Sequence, residues 1–220
     1  MKHKIPIPTI KRFPSYIRLI KQYKENGLES VSATSLANDL RLNPIQVRKD
    51  LAFSGIEGKP KVGFHIDELL KALIESLGWN NSTDAIIIGA GNLGSALIGY
   101  KGFETYGLRI VAAFDKKEEV VGKTIGNICV KPLTELEEYV LLNGISIAIL
   151  TVPASQAQTC AQLLVKCGIQ AIWSFVPKDL TLPENIAVQR TDLATQFAVL
   201  SAKLRSNILN DKDKSDMDLW

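Results

Sequence analysis

One glycine-rich segment of this sequence has the residue types and spacing needed to bind a phosphate. The apolar run at residues 86–88 predicts a buried strand, and it leads directly into GAGNLG at residues 89–94, a G-x-G-x-x-G pattern that opens a helix. Glycines at this spacing permit a tight turn, a close approach of backbone to pyrophosphate, and close packing of helix on strand. The start of the helix offers N–H groups and a positive dipole to the anion. The segment therefore predicts a nucleotide site.

An acidic residue after the next strand points to the kind of nucleotide. The predicted strand at 109–114 leads into Asp115, about 20 residues past the glycines, where a carboxylate meets the ribose 2′-hydroxyl in dinucleotide sites. A carboxylate repels the 2′-phosphate of NADP, so we predict NAD(H). Lys116 or Lys117 could accept that phosphate instead, which keeps NADP as an alternative. The other alternative is a glycine-rich turn that binds a different nucleotide or none.

Two later strand ends supply further candidates, because ligands of parallel α/β sheets bind beyond the carboxyl ends of the strands. Thr151, Val152 and Pro153 lie at the end of one predicted strand, and we expect Thr151 and Ala154 to border the pyrophosphate or the nicotinamide ribose. Phe175 ends another and could flank the nicotinamide, although it also fits a core aromatic residue. The predicted cofactor-binding residues are Gly89, Ala90, Gly91, Asn92, Leu93, Gly94, Asp115, Lys116, Thr151, Val152, Pro153 and Phe175.

The elements that must position these residues alternate between strand and helix. Strands are predicted at 85–88, 109–114, 146–152, 171–175 and 186–189, with a short one at 127–130. Helices are predicted at 93–101, 132–142, 154–167 and 192–206. Continuous apolar strands are typical of a parallel sheet covered on both faces. The expected fold class is α/β, with a Rossmann doubly wound parallel sheet.

The N-terminal part has a different charge and a different helical pattern. Residues 1–63 contain twelve Lys/Arg against five Asp/Glu, whereas the remainder contains fourteen against eighteen, so a local charge of +7 is followed by −4. This asymmetry indicates a polyanionic partner for the N-terminal part. A helix is predicted over 14–26, and Ser32 can cap a second. Asn43, Pro44 and Gln46 are typical of the start of a third helix.

Two short helices joined by a tight turn predict a helix-turn-helix, and residues 55–64 follow it with the Gly/Pro punctuation of a wing. A fourth helix is predicted over 66–77, and the polar stretch 79–82 separates the two halves. We therefore expect a winged-helix DNA-binding domain at 1–79, a Rossmann domain at 80–191, and a C-terminal helix and tail at 192–220. The predicted DNA-binding residues are Gln46, Arg48, Lys49, Lys59 and Lys61.

Several classes of protein are disfavoured. The three cysteines have no metal-like spacing, so reduced thiols and no bound metal are expected, and no apolar run is long enough for a membrane span. The first residues lack the apolar core of a signal peptide, which favours the cytoplasm. The two histidines lie outside the nucleotide domain, and no substrate domain follows it, so an enzyme is not expected. A small NAD-dependent oxidoreductase and a CoA- or nucleotide-binding regulatory module remain the alternatives.

Taken together, these segments closely resemble the Rex family of redox-sensing transcriptional repressors over nearly the whole chain. The resemblance is carried by the stretches KRFPSYIR, QVRKDL, GAGNLG, AFD and ILTVPA, in that order. It implies a homodimer that binds a palindromic operator. NADH is expected to release this dimer from the DNA, whereas NAD+ is expected to permit binding. The resemblance also implies that a final helix starting near Asp192 packs into the partner subunit, and that Arg18, Tyr100 and Asp192 rearrange between the two states.

Overall fold

The computed structural model describes residues 5–217 and the side chains of residues 5–205. The chain divides into two compact units, residues 1–82 and residues 83–220. The first unit contains α1 (Ile7–Glu25), β1 (Ser30–Val31), α2 (Ala33–Leu40), α3 (Pro44–Ala52), β2 (Phe64–His65) and α4 (Ile66–Ser76). Strands β1 and β2 pair in antiparallel fashion, and the helices enclose a core. Its largest fully buried side chains include Phe13, Tyr16, Ile20, Leu36, Leu51 and Leu69.

Helix α1 begins earlier than the sequence pattern predicts. Pro6 occupies the N-cap position and Pro14 lies inside the helix, so the start predicted at residue 14 is wrong by seven residues. A proline in a helix interior removes one backbone hydrogen bond. The adjacent Phe13 and the nearby Tyr16 are completely buried. Their burial in the core holds the helix together across the proline.

The helix-turn-helix forms where the capping residues predict it. The Ser32 hydroxyl accepts a 2.9 Å hydrogen bond from the Ser35 N–H at the start of α2, and Asn43 Oδ1 accepts one of 2.8 Å from the Ile45 N–H at the start of α3. Between the helices, Arg41 adopts a left-handed φ of 53° that turns the chain. The start of α3 is confirmed, but the Gln46 side chain does not complete a capping box, because it bonds to Asp50.

The wing is a tight turn closed by backbone hydrogen bonds. The Lys59 N–H donates to the Gly63 carbonyl (2.7 Å), and the Gly63 N–H donates to the Lys59 carbonyl (2.9 Å). Lys61 at the tip has a φ of 64°, a left-handed conformation in a residue other than glycine. Gly63 has a φ of 90°, and a Cβ there would lie 2.4 Å from the Val31 carbonyl oxygen. The wing therefore packs closely against β1.

The second unit is a seven-stranded sheet with helices. Its elements are β3 (Thr83–Ile88), α5 (Asn92–Ile98), a 3-10 helix (Lys101–Tyr106), β4 (Leu108–Asp115), β5 (Thr124–Ile125), β6 (Ile128–Pro132), a 3-10 turn (Leu133–Glu135), α6 (Leu136–Asn143), β7 (Ile147–Leu150), α7 (Ala154–Lys166), β8 (Ala171–Ser174), β9 (Ala187–Arg190) and α8 (Leu193–Met217). The sheet order is β5-β6-β4-β3-β7-β8-β9. All neighbours are parallel except β5 and β6. Without β5, this is the Rossmann order 3-2-1-4-5-6.

Both faces of this sheet are buried, as the continuous apolar strands predict. Ile86, Ile88 and Phe114 belong to one core cluster, and Ile87 and Ala113 belong to another. Successive residues of one strand thus point into opposite layers. The predicted Rossmann fold class is confirmed, and β5 is an edge strand that the sequence pattern did not indicate.

Helix α8 continues to Met217, beyond the predicted end at residue 206. Leu193, Phe197, Leu200 and Leu204 recur along it at intervals of four, three and four residues, and they are 59–68% exposed. This spacing places them on one side of the helix. No described helix is long and apolar enough to cross a membrane.

Candidate functional site

The three glycines of the motif have separate geometric roles. Gly89 has a φ of 98°, and a Cβ there would lie 2.9 Å from the Thr151 carbonyl oxygen. At Gly94 a Cβ would lie only 2.0 Å from the Gly89 carbonyl oxygen, so glycine is required for α5 to pack on the turn. A Cβ at Gly91 would meet nothing within 4 Å. Gly89 and Gly94 shape the turn, and Gly91 leaves open space beside the backbone.

The turn lies at the topological switch point of the sheet. Strand β3, which leads into Gly89, pairs with β4 on one side and with β7 on the other, so the helices that follow these strands diverge there. The Thr151 hydroxyl lies 2.7 Å from the Gly89 carbonyl oxygen and 3.1 Å from that of Ile88. The end of β7 is therefore joined to the glycine turn by a side chain as well as by the sheet.

Asp115 is held against the same turn. Its Oδ2 accepts a 2.8 Å hydrogen bond from the Ala90 N–H, and its Oδ1 accepts one of 3.0 Å from the Lys117 N–H. The carboxylate at the end of β4 is thus fixed beside the glycines, as the spacing of about 20 residues predicts. Each carboxylate oxygen has a further lone pair with which it can accept a ligand hydroxyl.

A cleft of about 360 Å³ lies at this position. Seven predicted residues line it, namely Gly89, Gly91, Asp115, Lys116, Thr151, Val152 and Pro153. Its other lining residues are Ile88, Phe114, Lys117, Val120, Leu133, Gln156 and Cys160. Gln156 and Cys160 belong to α7, and only the three-dimensional position of that helix shows that they line the cleft. Burial raises the pKa of the Cys160 thiol, which keeps it protonated at neutral pH.

Five predicted cofactor residues are not among those lining the cleft. Ala90 contributes the N–H that binds Asp115, and Gly94 is buried beneath the turn. Asn92 and Leu93 form the exposed first turn of α5. Phe175 lies instead in a row of aromatic rings. Its ring centroid is 5.0 Å from that of Trp173.

The aromatic row links Phe175 to Tyr100, one of the residues implied in switching. Trp173 lies 5.6 Å from Phe103, and Phe103 lies 4.9 Å from Tyr100 in an edge-to-face arrangement. The Trp173 indole N–H donates to the Thr191 hydroxyl at 2.8 Å. Tyr100, at the outer end of the row, is 55% exposed.

The other two switch candidates have local partners. Asp192 accepts hydrogen bonds from the Ala194 N–H (3.0 Å) and the Thr195 hydroxyl (3.0 Å), so it caps α8. These bonds keep the pKa of Asp192 below its ordinary value. Arg18 is exposed on α1, with Nη2 3.5 Å from the Ser15 hydroxyl. Arg18 belongs to the first unit, whereas Asp192 belongs to the second.

In the first unit, three predicted DNA-binding residues line one groove. Arg48 of α3 faces Lys59 and Lys61 of the wing across a depression of about 370 Å³ that also includes Ser32 and Thr34. The cations and hydroxyls of this groove are groups that bind phosphate and sugar oxygens. The structure thus brings the predicted recognition helix and the predicted wing together.

The remaining two candidates are placed differently. Lys49 lines a separate and larger cavity of about 790 Å³, together with Phe53 and Ala72. Gln46 is exposed near the start of α3, and its amide nitrogen donates to Asp50 at 2.9 Å. Within the part of the chain that the structure describes, no group of three or more His, Cys, Asp or Glu residues could hold a metal ion.

Comparison with known proteins gives matches to both units. A family model described as a putative DNA-binding protein N-terminus matches residues 4–52, and one described as a CoA binding domain matches residues 80–178. The redox-sensing transcriptional repressor Rex of Treponema denticola is 45% identical over 93% of this chain and 98% of its own length. Rex of Carboxydothermus hydrogenoformans is 40% identical over 92% and 97%.

Solved structures are similar over the same extent. The crystal structure of RSP in complex with β-NAD+ and operator DNA is 32% identical, with a TM-score of 0.88, over 96% of this chain and 98% of that one. The structure of RSP in complex with β-NADH is 31% identical, with a TM-score of 0.84, over 94% and 98%. RSP is itself described as a Rex-family repressor.

Fold and site together define a class, in which a winged helix-turn-helix unit is joined in one chain to a Rossmann unit with a nucleotide cleft. Proteins of this class are regulators rather than enzymes, as the relatives' description as transcriptional repressors shows. The chain belongs to the Rex family of redox-sensing transcriptional repressors.

Proposed function

We propose that this protein binds NAD(H) in the cleft of its second unit and represses transcription by binding an operator through its first unit. The observation that carries the cofactor assignment is the Asp115 carboxylate, fixed by the Ala90 N–H beside the open face of Gly91. A pyrophosphate fits the open backbone and a ribose hydroxyl fits the carboxylate. The residues present therefore fit the dinucleotide.

The relatives support a response to both redox forms of the cofactor. RSP has been crystallised with β-NADH, and with β-NAD+ together with operator DNA. We infer the same pair of ligands here, with NADH releasing the DNA and NAD+ permitting binding. The two forms differ by one positive charge on the nicotinamide ring, and removing that charge from water into an apolar pocket is unfavourable. A hundredfold preference for NADH corresponds to about 2.7 kcal/mol, which is available to shift the protein between two states.

For the DNA face, we propose that Arg48, Lys59 and Lys61 contact the duplex, with Gln46 and Lys49 on the same recognition helix. Their support is the shared groove between α3 and the wing and the net charge of +7 over residues 1–63. Arg18, Tyr100 and Asp192 are proposed to rearrange between the two states. Tyr100 and Arg18 are exposed and so are available for new contacts.

A homodimer is proposed through residues 192–220. The stripe of Leu193, Phe197, Leu200 and Leu204 is a continuous apolar face on α8, and apolar faces of this kind are buried in stable proteins. We propose that a second copy of this chain covers the apolar face of α8. A palindromic operator has two-fold symmetry, which matches the symmetry of a dimer. We propose a cytoplasmic location, as expected of a transcriptional repressor of this family.

The decisive experiment is fluorescence polarisation on a labelled palindromic promoter duplex, titrated separately with NADH, NAD+, NADPH and CoA. We expect release by NADH at concentrations at which the other three leave the complex largely intact. CoA is included because the family model that matches residues 80–178 is named for it. Release by CoA alone would favour the regulatory-module alternative, and cofactor turnover without specific DNA binding would favour an oxidoreductase. If the fraction of duplex bound by the protein does not change with NADH concentration, the proposal is refuted.

A further inference from the structure

A buried carboxylate lies on the predicted recognition helix. Asp50 of α3 is completely buried, and its two oxygens accept five hydrogen bonds. Three partner residues are on α1: the Thr9 hydroxyl (2.9 Å), the Arg12 guanidinium (2.6 and 2.8 Å) and the Tyr16 hydroxyl (2.7 Å). The fourth is the side-chain amide of Gln46, one turn earlier on the same helix. Asp50 is therefore rigidly held from outside its own helix.

The charge state of this carboxylate determines which way the amide faces. Burial favours the neutral acid, but the hydrogen bonds from Arg12, Tyr16, Thr9 and Gln46 outweigh it and lower the pKa of Asp50 to about 2. At neutral pH the carboxylate is ionised and can only accept hydrogen bonds. The Gln46 atom that faces Asp50 must then be the nitrogen. Rotation of the Gln46 amide by about 180° would place its carbonyl oxygen against a carboxylate oxygen of Asp50, and the two would repel each other.

This bond defines what Gln46 presents to a ligand. One N–H is used by Asp50, so the carbonyl oxygen and the second N–H are left. Gln46 is exposed and is the third residue of α3. The first residues of a recognition helix are those that meet base edges in the major groove. An acceptor beside a donor on one planar amide matches adenine, which offers its N6 amino group beside the N7 acceptor.

We propose that Asp50 is a positioning residue that fixes the Gln46 amide so that it reads adenine in each half-site of the operator. This inference rests on the proposed function, because it requires DNA to be bound by α3. Asp50 itself does not touch DNA, and it acts through Gln46. The network to α1 makes the orientation of the amide a property of the free protein rather than a consequence of binding.

The test is selection from a randomised palindromic duplex library by the full-length protein without NADH, followed by sequencing. The wild type is expected to enrich an A·T pair at one position of each half-site. Gln46→Ala and Asp50→Asn should each reduce that preference by about fivefold or more at the same position, which is the lower end for a bidentate contact. The double variant should lose no more than either single variant, because both remove one interaction.

Asp67→Asn is the matched control, since it also removes one negative charge from the first unit. Asp67 is exposed and pairs with Lys24 at 2.6 Å. We expect this variant to enrich the same sequences as the wild type. A wild type that enriches no sequence would overturn the repressor function and this inference together. A specific wild type whose preference survives in Asp50→Asn, or a variant that binds all sequences uniformly less well, would overturn the inference alone.

A second measurement applies if Asp50→Asn fails to fold. In the ¹⁵N-labelled wild type, a bond to an ionised carboxylate should move one of the two Gln46 side-chain amide protons downfield of the other side-chain amides. Gln46 amide signals indistinguishable from those of an exposed glutamine would contradict the proposal.

Discussion

Replacement of Gly91 by alanine separates cofactor binding from folding. In the free protein a Cβ at this position would meet nothing within 4 Å, and the φ of −71° suits alanine as well as glycine. We therefore expect the stability to change by less than about 1 kcal/mol, the range for a Gly-to-Ala exchange at a compatible N-cap. The methyl group would, however, occupy the open space beside the backbone that a pyrophosphate needs.

The expected loss of affinity follows from the contact that is blocked. A hydrogen bond between a backbone N–H and a charged phosphate oxygen contributes about 1.5–3 kcal/mol. Removal of one such bond should weaken NADH binding about 10- to 150-fold. Gly94→Ala is the control with the opposite pattern, because its Cβ would lie 2.0 Å from the Gly89 carbonyl oxygen. That overlap should destabilise the second unit by about 3 kcal/mol.

The assay combines two measurements on each variant. Thermal unfolding followed by circular dichroism reports stability, and titration of NADH fluorescence reports affinity. Gly91→Ala should melt like the wild type and bind NADH weakly, whereas Gly94→Ala should melt several degrees lower. Wild-type affinity in Gly91→Ala, or equal melting losses in the two variants, would refute the assignment of the cleft to the pyrophosphate.

Three further outcomes are expected. Asp115→Ala should weaken NADH binding at least about tenfold, because the carboxylate is lost from the turn, while operator binding without cofactor stays intact; an unchanged NADH titration would remove Asp115 from the site. Lys61→Gly, which keeps the positive φ, should reduce the slope of log K against log salt by about 1, and an unaltered slope would show that Lys61 does not contact phosphate. The pKa of Asp50 lies at about 2 against an ordinary 3.8. The lowered pKa therefore contributes on the order of 2 kcal/mol of stability above pH 4, which is lost as the pH falls from about 4 to about 2. Acid unfolding of the first unit followed by circular dichroism should show this loss, and the same profile in Asp50→Asn would contradict it.

Features set by neighbouring residues could be predicted from the sequence. The glycine turn, the caps at Ser32 and Asn43, and the position of Asp115 all depend on spacings of a few residues to one βαβ unit. The parallel sheet followed from the continuous apolar strands. These features are local or repeat a known arrangement, so residue type and spacing are sufficient to identify them.

Features set by tertiary packing could not be predicted. Gln46 has the position of a capping residue, but its side chain bonds to Asp50 four residues later on α3. Only the tertiary contact with α1 buries that carboxylate and holds it in place. Pro14 has the appearance of a helix start, and only burial of its neighbours keeps it inside α1. Cys160 of α7 lines the cleft beside the glycine turn, although it lies 66 residues after Gly94 in the chain. The spacing of residues in the sequence does not predict contacts between elements that are far apart in the chain.

The left-handed backbone at Lys61 has a consequence for association kinetics. A lysine in this conformation stores about 1 kcal/mol of steric energy in the isolated molecule, which the hydrogen bonds between Lys59 and Gly63 offset. The ammonium group at the tip is thus already displayed when a duplex approaches, and no ordering of the turn has to precede contact. Encounter rates at this tip should then depend on ionic strength far more than on temperature.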